Sequence, residues 1–316
     1  MTSHLDLCTG LPATIYLCYG RVLSTFEARQ VQKGRPPMKN FIKNLLRWGS
    51  KSAEERNILR YRIASTTATL CGLLPIPLWR VLVRHGTDKH KLGPGGHHYG
   101  HTYGQLFSKL KYRKIKLLEI GIGGSSYAIG GQSLLAWKEY FPFGSIVGCD
   151  IEPKFFLTGR RIRIYQTDQS SRSDLAKLVV EQAPFDIIID DGSHVSRHQI
   201  FTFYELFGAL RQGGLYVIED VQTSFWPGIA NGMEMHGAHI DRPEFGTTCV
   251  GHFIELAKYL NHNEFVMTRG VKPDMLTAAK QIVRITFEHN LIIVEKGPND
   301  EPSKQKEALS PIAENA

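Results

Sequence analysis

The 316-residue chain is predicted to be an α/β protein: a doubly wound, mostly parallel seven-stranded sheet with a C-terminal antiparallel hairpin, preceded by a basic helical region. Three observations carry this. From residue 114 onward, short apolar runs alternate with amphipathic stretches, the pattern of repeated β-turn-α units covering both faces of a parallel sheet. The first apolar run ends in a Gly-rich turn. The last two runs are separated by only three residues, a link that permits nothing but an antiparallel pair.

The elements follow in order. The first strand covers 116–120 and leads into Gly121-Ile122-Gly123-Gly124. A helix is expected around 133–137, then strands at 145–150 and 163–166, a helix over 174–181 and a fully buried strand at 185–189. The next helix is expected over 195–210, stopped by Gly213-Gly214, because glycine past the last periodic residue ends helices. Residues 215–218 read as the fifth strand, and 283–287 with 291–294 as the closing hairpin. Ahead of the sheet, 1–37 is expected to be loosely ordered, with Gly34-Arg35-Pro36-Pro37 breaking any regular element and Met38 an alternative start. The stretch 38–85 reads as basic and partly helical, opening with an amphipathic run of Phe41, Ile42, Leu45, Leu46 and Trp48. Residues 86–297 form the main domain, and 298–316, rich in Pro, Glu, Lys and Ser, read as a disordered tail.

Composition narrows the class. Hydrophobic residues at 42% and charged residues at 22% are globular values, which excludes wholesale disorder. Five scattered cysteines contain no CxxC pair, so a zinc ribbon, a thioredoxin motif and a disulfide scaffold drop out, and a reduced, cytoplasmic chain fits. The net charge is +8 overall, yet residues 29–116 alone carry nineteen Lys or Arg against Glu54, Glu55 and Asp88. That asymmetry points to an anionic partner or a solvated basic face. No run of ~20 apolar residues exists. The nearest stretch, 63–79, is interrupted by Pro75 and Pro77 and is expected to pack on the main domain, on a second copy in a homo-oligomer, or against a membrane surface.

Function is read from where the acids fall. In open α/β sheets, ligands lie beyond the carboxyl ends of the strands. Glu119, Asp150, Asp168, Asp190, Asp191, Glu219 and Asp220 all occupy such ends, and like charges this close call for cations or hydroxyls. Asp150 can accept from both hydroxyls of a ribose, which suits a nicotinamide dinucleotide or S-adenosylmethionine; Ser126 stands where a dinucleotide fingerprint needs its third glycine. Asp191, Glu219 and Asp220 sit on neighbouring strands ~4.8 Å apart and can meet around one ion. Oxygen ligands select a hard divalent cation such as Mg²⁺ over zinc. His194, three residues past Asp191, is placed to act as a general base; the plainer alternative makes Asp191 a helix cap and His194 a surface residue.

Taken together, several stretches resemble a known family. Gly86-Thr87-Asp88-Lys89, the Tyr99-to-Tyr103 segment, Leu118-Glu119-Ile120-Gly121-Ile122-Gly123-Gly124, Asp168-Gln169-Ser170, Asp190-Asp191-Gly192-Ser193-His194, and Ile218-Glu219-Asp220 followed by Thr223-Ser224-Phe225-Trp226-Pro227 occur in the order and spacing of the metal-dependent macrocin/mycinamicin-type sugar O-methyltransferases. The resemblance runs from about His85 to Gly297. It implies a class I, Rossmann-like S-adenosylmethionine-dependent methyltransferase domain, with Thr87, Glu119, Gly121, Gly123, Ser133, Asp150, Asp168, Gln169 and Asp191 at the cofactor, Asp191, Glu219 and Asp220 on Mg²⁺, and His194 as the base. Residues 222–248 would form a lid or substrate loop. His97, His98 and His101 beside Tyr99 and Tyr103 could form a metal cluster, but with no carboxylate beside them the preferred reading is that they shape the cofactor entrance. The implied reaction methylates a sugar hydroxyl on a glycosylated natural product or glycolipid. Rival readings are methylation of a catechol or other small diol, NAD-dependent oxidoreduction, and a basic membrane- or nucleic-acid-binding protein with a vestigial methyltransferase fold. Nucleic acid is disfavoured, since no aromatic-rich basic stripe is present.

Overall fold

A computed structural model describes residues 52–90, 96–123, 129–230, 233–265 and 269–303. The expectations for 1–37, for Met38 and the amphipathic run after it, for Gly124 and Ser126, and for 304–316 fall outside the described residues.

The sheet contains β1 (Lys116–Ile120), β2 (Ser145–Asp150), β3 (Ile162–Gln166), β4 (Phe185–Asp190), β5 (Leu210–Glu219), β8 (Ile282–Glu288) and β9 (Leu291–Lys296), in the order β3-β2-β1-β4-β5-β9-β8. The first five strands are parallel; β9 runs antiparallel to both β5 and β8. A separate ribbon pairs β6 (Ile229–Ala230) with β7 (Met233–Glu234). The helices are α1 (Ala53–Cys71), α2 (Leu78–His85), α3 (Tyr99–Phe107), α4 (Gln132–Tyr140), α5 (Arg172–Gln182), α6 (Ser196–Phe207), α7 (Cys249–Lys258) and α8 (Pro273–Ala279).

Why the strands read as unbroken apolar runs is plain from the layers. Successive side chains point to opposite faces, and here both faces are covered. Leu117, Ile146, Ile187 and Val217 face a core shared with Tyr61, Leu82, Phe107 and Trp137 of α1 to α4. Their neighbours Leu118, Val147, Ile188 and Tyr216 face a second core shared with Leu175, Phe203 and Phe253 of α5 to α7.

The segment 63–79 packs on the domain. Gly72 lies so close to α4 that a Cβ there would stand 1.8 Å from the Glu139 carbonyl oxygen. Lys138 donates to Ser65 Oγ at 2.7 Å, and Arg84 and His85 both reach the Glu139 carboxylate. Among the described residues, no helix is long and apolar enough to cross a membrane.

Two boundaries differ from expectation. The helix expected over 195–210 ends at Phe207, and Gly213-Gly214 lie inside β5. Leu210 already pairs with Phe185, and the register then shifts before Leu215 pairs with Ile187. The two glycines, Gly213 at φ +75°, therefore absorb a bulge rather than cap a helix. At the other end, 298–303 is hydrogen-bonded to the domain: Asn299 Nδ2 donates to the carbonyls of Leu260 and Ala279.

Candidate functional site

The site is built on the carboxyl ends of three adjacent strands. Register places Glu119 of β1 beside Ile189 of β4, and Ile189 beside Val217 of β5, so all three point to the α1–α4 face. Glu219, two residues past Val217, points the same way. Asp190, one residue on from Ile189, points to the opposite face, where Gln169 Nε2 at 3.2 Å and the Gly192 amide at 3.3 Å donate to it. Strand alternation thus divides the acids between two environments.

On the α1–α4 face, Glu119 and Glu219 are at most 2% exposed and share one cation. Lys89, itself 1% exposed, donates to Glu219 at 2.8 and 2.9 Å and to Asp191 Oδ2 at 2.6 Å, and its ammonium lies 3.2 Å from Glu119 Oε1. The lysine arrives there because Gly86 ends α2 in the left-handed conformation (φ +70°), turning the chain inward; Thr87 Oγ1 then accepts from the Lys89 amide at 3.0 Å. Tyr103 of α3 donates to Glu219, and Ser133 and Trp137 of α4 donate to Glu119 at 2.8 and 3.1 Å. Burial pushes Glu119 up to about 7 against the pull of Lys89, and pushes Asp190 likewise to about 7. Burial and the Asp191 charge hold Glu219 well above the carboxylate range. Burial alone would lower Lys89, but Asp191, Glu219 and Glu119 outweigh it and keep the ammonium charged.

Just outside this cluster, Asp191, His194 and Asp220 each offer a ligand atom within 4.8 Å of the others, the one such group among the described residues. His194 (φ +57°) and Asp220 (φ +55°) both adopt the left-handed conformation, which costs a non-glycine residue about 1 kcal/mol. The surroundings hold them there. Thr223 Oγ1 donates to the His194 carbonyl at 2.7 Å, and Tyr99 donates to Asp220 Oδ1 at 2.7 Å. His97 Nε2 lies 3.4 Å from the same oxygen, with its ring stacked on Tyr99 at 4.5 Å. His194 Nε2 is 3.7 Å from Asp220 Oδ2, and its Nδ1 is buried without a partner. Burial raises Asp191 despite Lys89 and His194. Two carboxylates and an excess of acid over base fit a hard divalent cation.

Beside this group lies the turn after β1. Gly121 (φ +76°) lets β1 and β4 converge: a Cβ there would stand 2.0 Å from the Asp191 carbonyl oxygen. Gly123 (φ +63°) faces open space. Asp150, at the end of β2, accepts from the Ile122 amide at 3.2 Å, the Glu152 amide at 3.0 Å and Lys154 Nζ at 2.9 Å; Lys154 also donates to the Gly123 carbonyl at 2.6 Å.

Of the residues expected at a site, the structure brings Asp191, His194 and Asp220 together, and Gly121, Gly123 and Asp150 into one adjoining turn. Glu219, expected on the ion with Asp191 and Asp220, is bonded here by Lys89 and Tyr103, and Lys89 bridges it to Asp191. Glu119, Ser133 and Thr87 form the buried backing of the edge. Gln169 ties two loops, accepting from the Ser193 amide at 2.6 Å, and Asp168 caps its own turn by accepting from Ser170. His98 and His101 are exposed and lie against His90 rather than at the edge. The expected lid region, 222–248, contains the β6–β7 ribbon, with the Phe225 ring tilted against Phe245 at 5.2 Å and Trp226 half-exposed. Sequence reasoning gave no role to Lys89, Tyr103 or Tyr99, although all three stand in the quoted stretches; a lysine bonding acids 102 and 130 residues away leaves no local signal.

No family model matches the chain. It is 39% identical over 228 residues to the 8-demethyl-8-(2-methoxy-alpha-L-rhamnosyl)-tetracenomycin-C 3'-O-methyltransferase of Streptomyces olivaceus, covering 72% of this chain and 55% of the relative. It is 37% identical over 206 residues to the mycinamicin VI 2''-O-methyltransferase of Micromonospora griseorubida, covering 65% and 49%. Among solved structures, the MycE methyltransferase of the mycinamycin biosynthetic pathway, in complex with Mg and SAH, superposes with a TM-score of 0.65 at 34% identity, covering 75% of this chain and 60% of that one. The chain spans about half the length of the curated relatives it matches.

Proposed function

We infer that this chain is a Mg²⁺-dependent O-methyltransferase of the sugar-modifying type it resembles, moving a methyl group from S-adenosylmethionine to a sugar hydroxyl on a glycosylated natural product or glycolipid. The observation that carries the reading is the convergence of Asp191, His194 and Asp220 beside the Gly121–Asp150 turn. The relatives it matches are sugar O-methyltransferases, and MycE has been captured with Mg and SAH.

In this reading Asp191 and Asp220 hold the ion, and Gly121, Gly123 and Asp150 hold the cofactor. When bound, the ion supplies Lewis-acid polarisation of the acceptor oxygen, and the sulfonium supplies a methyl group activated by its own charge. The rest falls to the chain. His194 receives the hydroxyl proton on a ring nitrogen, which is the work of a general base. Tyr99 and His97 fix Asp220, as groups behind a metal ligand commonly do. Lys89 holds one oxygen of Asp191 and both of Glu219, so Glu219, Glu119 and Ser133 support the edge from behind. Gln169 and Asp168 order the loops that flank the cofactor, and Thr87 orders Lys89. Phe225 and Trp226, on the segment after Asp220, would shield the acceptor from water.

Calorimetric titration of the purified protein with S-adenosylhomocysteine and with NAD⁺, with and without Mg²⁺, tests this. Binding of the adenosyl compound alone, lost in Asp150→Ala, is the expected result and leads to a screen of glycoside acceptors. A folded protein that binds NAD⁺ or neither ligand would sink the proposal.

A further inference from the structure

The most basic stretch of the sequence sends Lys89, His97, Tyr99 and Tyr103 to the carboxylate edge, and other parts of it build the opposite end of the strands. Lys111 donates to the carbonyls of Leu74 and Ile76 and lies over the rings of Tyr112 and Tyr140. Arg161 donates to the carbonyls of Phe141 and Gly144 and to Thr69 Oγ1. These bonds draw the end of α1, the turn after it, the approach to β1 and the loop after α4 onto one face. Five large apolar side chains stand out from that face: Leu70 (44% exposed), Leu73 (50%), Leu74 (50%), Tyr112 (50%) and Phe143 (51%). Clustered exposed apolar groups of this size mark a contact surface.

Charge says what kind. The segments that build the face, 69–76, 109–116 and 140–145, contain no Asp or Glu. Exposed Lys109, Arg113 and Lys114 flank Tyr112 in sequence, and exposed Arg160 adjoins Arg161. A second copy docked through this patch about a two-fold axis would set basic rim against basic rim. Leucines and aromatics inside a basic rim match an anionic bilayer instead: apolar groups enter the headgroup boundary while the cations meet lipid phosphates.

We propose that the face carrying Leu70, Leu73, Leu74, Tyr112 and Phe143 docks the protein on an anionic lipid surface. β1 and β2 start beside this face and end at the site, so strands of five and six residues hold the carboxylate edge about 17–20 Å above the lipid. The site then opens toward water, away from the bilayer.

The test is cosedimentation of the full chain with phosphatidylcholine vesicles, with and without phosphatidylglycerol, at low and high salt. Expected is partition onto the anionic vesicles at least ~10-fold above that onto neutral ones, weakened by salt. The pair Leu73→Glu with Phe143→Glu should cut that partition by ~10-fold or more while the thermal midpoint holds. Arg113→Glu with Lys114→Glu, which leaves the apolar groups in place, should also weaken it. Wild-type protein that ignores anionic vesicles, or binds neutral ones equally, overturns the proposal. So does a Leu73/Phe143 variant that splits an oligomer on size exclusion while keeping its vesicle binding, which would assign the face to a second copy.

Discussion

His194 and Lys89 do opposite work within a few ångströms. The His194 side chain is 23% exposed, enough to meet a substrate, and Thr223 holds its strained backbone. Replacing it by Gln should lower kcat by ~10²–10⁴ and leave the affinity for S-adenosylhomocysteine within a factor of two or so, read by steady-state kinetics beside calorimetry. Lys89 is sealed away and neutralises acids contributed by three strands. Lys89→Met leaves buried carboxylates uncompensated and should cost about 3–5 kcal/mol, measured by urea unfolding. The cost should be smaller near pH 6 than at pH 8: Glu119, already titrating near 7, takes up a proton and relieves the repulsion as pH falls. A loss independent of pH would mean that packing, not charge, explains the lysine. The acids of this edge were legible from strand ends alone. Lys89 was not, because its role rests on tertiary contacts.

At the scale of elements, alternation along the strands decided which acids face which layer, and that was visible once the strands were placed. Glu219 was read as a metal ligand because the ends of neighbouring strands bring it to Asp191; here Lys89 bridges the two carboxylates. The helix boundary near residue 210 failed for a related reason: a Gly-Gly pair looks the same at a helix end and at a bulge. Gly121 is the junction where two strand ends meet. Gly121→Ala should destabilise the fold by about 2–4 kcal/mol through overpacking and a left-handed Cβ, seen as a lower urea midpoint. On α7, His252 bonds Tyr204 at 3.0 Å, and burial lowers it to about 4. Its unfolded value is near ~6.5, so the unfolded state binds the extra proton first. Its contribution is therefore full above that value and is lost as pH falls toward 4, by up to about 3 kcal/mol. His252→Gln should flatten the acid limb of a stability–pH curve; an unchanged limb would assign the acid sensitivity to other groups.

For the whole molecule, the mostly parallel seven-stranded sheet and the closing hairpin followed from the sequence, because a three-residue link and unbroken apolar runs leave few topologies; the strand order came from the structure. The basic region was legible as charge but not as a surface, since its exposed leucines and aromatics come from segments far apart in sequence. Ligand linkage should appear in the intact chain: Mg²⁺ with S-adenosylhomocysteine at ~100 times its Kd should add about 2.7 kcal/mol and raise Tm by roughly 5–10 °C, checked by calorimetry. A Tm indifferent to both would contradict a ligand-binding edge. The lysine at the centre of that edge also sets an order of events in the cell. Lys89 leaves the ribosome 130 residues ahead of Glu219, a delay of roughly 10 s at ordinary elongation rates. Through that interval the lysine gains Glu119 and then Asp191, and its last counter-ion arrives with β5. The active edge is therefore among the last parts of the domain to exist, completed only when β5 joins the growing sheet.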